Sequence, residues 1–138
     1  MKRCRVIAAL SAACAGAAHA EWKAIASATD SAPAMAYDAK RVRYEPPYVT
    51  TWTRIVPTER EALSNGVEYQ SVLQKVAIDC NERSWAVTYS EFYANRIATG
   101  AALYFYSVPR DEWDLRPAKA GSSGARLVGA LCSTPKPW

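Results

Sequence analysis

Apolar and polar positions alternate with a period of two through much of the chain beyond residue 20, the pattern of half-buried strands. Residues 21–28 predict a first short strand anchored by Trp22, and Asp30, Ser31 and Pro33 mark the loop that follows. A second strand is predicted over residues 35–44, where Val42 and Tyr44 alternate with Arg41 and Arg43 until Glu45-Pro46-Pro47 stops it. Residues 48–56 (YVTTWTRIV) are β-branched or aromatic almost throughout, as a strand requires. A polar connection over 57–66 closes at Asn65-Gly66. Residues 67–80 and 84–93 then predict a hairpin around Asn81-Glu82-Arg83. Val76, Ile78 and Cys80 share one face of its first arm, and Trp85, Val87 and Tyr89 one face of its second. The alternation changes phase between Tyr69 and Leu73, which predicts a bulge there. A sixth strand is predicted over 101–107 (AALYFYS).

The period changes near the end. Over residues 122–132, Leu127, Val128, Leu131 and Cys132 fall on one face of a helix that Ser122 or Ser123 can cap. Gly124 and Gly129 weaken that helix, so it needs support from the rest of the fold, and Pro135 and Pro137 prevent its continuation. The fold class expected is therefore α+β and mostly β: an antiparallel sheet of about six strands with a C-terminal helix.

The first twenty residues read as a signal peptide. Lys2, Arg3 and Arg5 precede a small, apolar run over 6–18, and Ala18-His19-Ala20 fits a small-x-small cleavage rule. The run is too short to span a bilayer, and the mature chain is expected to be one domain over residues 21–138. A rival reading lipidates Cys14, but Ser11 stands where a large apolar residue would be needed, so simple cleavage is favoured. Loss of Lys2, Arg3 and Arg5 takes the formal charge from +4 to +1, which argues against a nucleic-acid partner. His19, the single histidine, leaves too, as do Cys4 and Cys14. Cys80 and Cys132 remain, with one possible intramolecular pairing in an oxidising compartment. A Cys80–Cys132 disulfide would pin the helix to the sheet. Two thiolates without an imidazole make a poor zinc site.

Catalytic chemistry is poorly served. A nucleophile activated by histidine is excluded in the mature chain. Ser133-Thr134-Pro135-Lys136 matches S-x-x-K by letter, but Pro135 interrupts the helical turn that motif uses. Asp111, Glu112 and Asp114 lack the spacing of a calcium loop and read as a solvated acidic segment. No enzyme activity, cofactor or metal is expected. Lys40, Arg41 and Arg43 with Tyr44 and Tyr48 form a candidate docking surface for an acidic protein or glycan; the plainer alternative is an edge strand blunted by charge. Trp52, Trp85 and Trp113 are expected in the core rather than as ligand platforms.

The order of landmarks resembles the surface-adhesin protein E-like domain family. It runs through Trp22, Tyr37-Asp38-Ala39-Lys40-Arg41-Val42-Arg43, Trp52-Thr53-Arg54, Tyr69-Gln70-Ser71 and Ile78-Asp79-Cys80. It then passes Tyr93 and Gly100 to Trp113, Pro117, Ser122 and Cys132, with the Pro117–Ser122 spacing stretched. The resemblance implies an antiparallel sheet with a disulfide-tethered C-terminal helix. It also implies an envelope adhesin that recognises a host extracellular-matrix or serum protein. The best-known member is lipidated, unlike the reading favoured here. Haem is associated with the family, but a mature chain without histidine has no imidazole ligand to offer, and only tyrosine ligation remains open. The alternative function is a soluble periplasmic inhibitor or envelope-maintenance factor. The expected location is the periplasm or the cell surface.

Overall fold

The computed structural model describes residues 19–27, 29 and 31–133. Residues 1–18 of the expected signal peptide, with Cys14, and the Thr134–Lys136 part of the S-x-x-K match lie outside the described residues. The strands are β1 (Trp22–Ile25), β2 (Ala34–Asp38), β3 (Arg43–Glu45), β4 (Tyr48–Val56), β5 (Glu61–Ala62), β6 (Glu68–Tyr69), β7 (Ser71–Asp79), β8 (Ser84–Tyr93), β9 (Tyr104–Ser107) and β10 (Arg116–Pro117). One α-helix, α1 (Ser123–Ser133), follows. The main sheet runs in the order β1-β2-β4-β7-β8-β10, with β3 also on β4 and β9 also on β8; β5 and β6 pair apart from it. Every pairing is antiparallel. The expected mostly β architecture is what the chain adopts. The strand count exceeds six because two expected strands are interrupted and short segments pair at the margins.

The first interruption corrects the expected strand over 35–44. β2 and β3 both lie along β4, Ala34–Tyr37 opposite Val56–Thr53 and Arg43–Glu45 opposite Thr50–Tyr48, but residues 39–41 leave the sheet as a 3-10 turn. Asp38 causes this: its carboxylate accepts the Lys40 amide at 3.0 Å and the Arg41 Nε at 2.6 Å, a local bonding pattern that competes with the ladder. Pro46 and Pro47 then form the two-residue turn into β4, with a cis bond between them. The second interruption corrects the expected strand over 67–80. The chain bends at Gln70, β6 pairs with β5, and the irregularity in the β7–β8 ladder lies at Lys75/Val76, where Thr88 is the extra residue, rather than between Tyr69 and Leu73. The Thr88 hydroxyl donates to the Lys75 carbonyl at 3.1 Å, so its burial leaves no orphan oxygen.

One face of the sheet is the core. The register places Val49 opposite Ile78 and Ile78 opposite Trp85, and Val76 opposite Val87. Ile25, Val49, Val76 and Ile78 from this face pack with Leu127, Val128 and Leu131 of α1, all buried. The helical face read from the sequence is thus the buried one. Ser122 caps the helix, its hydroxyl accepting the Ala125 amide at 3.1 Å. The helix lies tight against the sheet at Gly124: a Cβ there would meet the Trp85 ring at 2.7 Å. Cys80 follows β7 directly and is bonded to Cys132 near the end of α1, with Cα atoms 5.6 Å apart. The disulfide therefore ties the helix to the sheet it covers.

Candidate functional site

Among the described residues, no α-helix packs on the opposite face of the sheet. Along β4, Tyr48, Thr50, Trp52 and Arg54 alternate onto it, while Val49, Thr51 and Thr53 are buried on the core side. Arginine guanidinium groups lie over its rings. The Arg41 guanidinium is 4.9 Å from the Trp52 ring centre, and Arg54 is 4.8 Å from that of Trp22. Arg110 sits 5.2 Å from Tyr48 and 5.0 Å from Trp113, whose rings are themselves 5.4 Å apart. A guanidinium over a ring face is held there by the ring's electron density, and Arg41 and Arg110 also donate, to the Asp38 carboxylate and to the Pro46 carbonyl. Trp52 also packs against Tyr89 at 5.7 Å. Trp85 is against the core, as expected. Trp52 and Trp113 are half-buried on this second face instead, because β4 and the Val108–Trp113 segment turn their rings away from α1.

The five residues of the expected docking surface do not share one side. Lys40, Arg41 and Arg43 line a cleft of about 440 Å³ together with Asp38, His19 and Ala20. Tyr44 pairs with Val49 in the β3–β4 ladder and is 44 % exposed, while Tyr48 turns to the other face under Arg110. The cleft is built around Asp38, which is fully buried. Burial pushes its carboxyl up, but the Glu21 and Lys40 amides and the Arg41 guanidinium outweigh this and hold it below its ordinary value. Glu45 behaves likewise: burial raises it, and the Thr50 hydroxyl at 2.9 Å and Lys75 at 3.4 Å bring it lower than usual. Among the described residues no cluster of three metal-binding side chains occurs. Asp111 and Glu112 are exposed in a 3-10 turn, and Asp114 pairs with Arg116 at 2.7 Å.

A second surface was not singled out from the sequence. β9 has the composition of a core strand, yet every residue of it is exposed. Tyr104 is 41 % exposed, Phe105 65 % and Tyr106 52 %, with Leu103 beside them. β9 pairs with β8 alone, so among the described residues its outer edge has no partner. It carries no charge and no proline, the usual guards of such an edge. Tyr104 and Tyr106 also border a groove of about 310 Å³ with Phe92, Leu63, Ser64 and Asn65. The signal was present in the letters: three aromatics in a row cannot all face inward in a strand whose side chains alternate.

A disulfide-tethered helix on one face, an arginine-lined aromatic layer on the other and an exposed aromatic edge strand make up this small β-sheet fold. The chain belongs to the surface-adhesin protein E family, whose description matches residues 22–133. No curated protein and no solved structure matches it. Among the described residues no helix is long and apolar enough to cross a membrane.

Proposed function

We propose that this protein is exported to the cell envelope and displayed there as an adhesin that binds a host extracellular-matrix or serum protein without catalysing a reaction. Export rests on the features of residues 1–20, and adhesion on family membership. The observation that carries the binding reading is β9: an uncharged aromatic edge strand, open to solvent, beside an apolar groove. An extended segment of the partner would add to β9 through main-chain hydrogen bonds and place a side chain in the groove at Tyr104 and Tyr106. Lys40, Arg41 and Arg43, which line the cleft around Asp38, lie near the other end of the strand order and are proposed as a separate electrostatic contact.

The test is surface-immobilised binding of residues 21–138 against a panel of purified matrix and serum proteins. At least one should bind, and Phe105→Lys or Tyr106→Lys should weaken it about tenfold or more, as loss of an aromatic anchor does. Both side chains are largely exposed, so the melting temperature should stay within about 2 °C. Binding by no protein of the panel would contradict the reading. Binding untouched at β9 but lost in Arg41→Glu or Arg43→Glu would move the site to the basic cluster.

A further inference from the structure

Asp38 holds more than its own turn. Its Oδ1 accepts the backbone N–H of Glu21 at 2.9 Å, beside that of Lys40, while Oδ2 takes the Arg41 Nε. The Glu21 carbonyl in turn accepts the Ala39 amide at 2.8 Å, and Trp22 pairs with Asp38 in the β1–β2 ladder. Glu21 is thus clamped on both sides of its backbone at the edge of the sheet. Its side chain points elsewhere, to Lys23 at 3.5 Å. Residues 19–21 are exposed, while the carboxylate beneath them is fully buried.

We propose that cleavage between Ala20 and Glu21 completes this site: the α-ammonium released at Glu21 becomes a second cation on the buried Asp38 carboxylate and locks β1 to the sheet. The inference rests on the export reading. Water adds across the amide, the Ala20 carbonyl carbon keeps the hydroxyl and the Glu21 nitrogen takes the proton. At neutral pH the products are a carboxylate on the departing peptide and an ammonium on the domain. The nitrogen already stands at hydrogen-bond distance, so no rearrangement is needed, and a neutral donor becomes a charged one, which bonds about twice as strongly. The uncleaved chain has the N–H but not the charge. Folding is therefore consolidated by the same event that releases the domain from its leader.

The experiment compares two purified proteins: one beginning at Glu21 with a free amine, and one beginning Met-His19-Ala20-Glu21, which keeps the amide and moves the charge away. The free-amine form should melt about 5 °C higher, and in Asp38→Asn the difference should vanish. Should Asp38→Asn fail to fold, acylation kinetics of the wild-type amine against pH serve instead; the amine should titrate above the ordinary range of about 7.7–8.0. Mass spectrometry of the exported protein gives the natural terminus. A start at Glu21 with no melting difference and an ordinary amine overturns the ion pair and leaves export standing. A different terminus overturns the coupling, and retention of residues 1–20 on a cytoplasmic chain overturns the export reading as well.

Discussion

Removal of the disulfide tests the architecture most simply. Cys80 and Cys132 are 52 residues apart, and the chain-entropy model assigns closure of such a loop about 4 kcal/mol. At about 2.1 cal/mol/K per residue, the unfolding entropy of residues 21–138 is about 0.25 kcal/mol/K, so the full effect would lower the melting temperature by about 16 °C. Residual structure in the unfolded chain reduces that gain, which makes about 8–16 °C the expected range for the Cys80→Ser/Cys132→Ser double variant. Changing both residues avoids leaving a lone thiol. Differential scanning calorimetry reads the shift, and reduction of the wild-type protein should reproduce it. Hydrogen exchange should show where the loss begins. The amides of α1 should lose protection before those of β7 and β8, since the helix is held to the sheet by Leu127, Val128, Leu131 and this link. A fall of less than about 3 °C would refute the claim that the tether stabilises the helix on the sheet.

Gly124→Ala gains about 1 kcal/mol of helix propensity, but its Cβ would lie 2.7–2.9 Å from the Trp85 ring, and such overpacking costs about 1–3 kcal/mol. The net effect expected in thermal melts is destabilisation, partly reversed by Trp85→Phe, and a raised melting temperature would refute the close contact. The Tyr93 hydroxyl, pushed up to about 12 by burial and by its 2.7 Å bond to Glu91, should ionise last in an ultraviolet titration. Its folded value is raised, so its contribution is complete below the ordinary value and lost as pH rises toward about 12; in Glu91→Gln the titration should move down. Asp38 has the opposite sign: its lowered carboxyl stabilises the fold above its ordinary value, and this is lost as pH falls through the folded value. Acid unfolding of Asp38→Asn should accordingly be flatter below about pH 4.

Much of the architecture is legible from local pattern. Residues 48–56 and 84–93 read as strands because their β-branched and aromatic content agrees with their burial, and both ranges match β4 and β8. The helix face at Leu127, Val128 and Leu131 is equally plain in its spacing. What local pattern hides is competition and sidedness. Arg41-Val42-Arg43-Tyr44 alternates like a strand, yet Asp38 captures the Lys40 amide and the Arg41 side chain and breaks it. Trp52 and Trp85 look alike in the sequence. Only the register shows that Trp85 lies over the core with Ile78, while Trp52, opposite Lys75, lies on the uncovered face. Tyr44 and Tyr48 separate in the same way across the Pro46-Pro47 turn. The exposure of β9 depends on its place at a sheet edge, which composition does not record.

Display on the cell surface is the part of the proposed function on which adhesion depends. Intact cells expressing the protein with a C-terminal tag should be treated with an external protease, then fractionated. If the protein is displayed on the surface, the tagged chain is degraded while a periplasmic control survives. A chain that survives the protease and is released with the periplasm would contradict surface adhesion, and would direct the search for a partner to the periplasm.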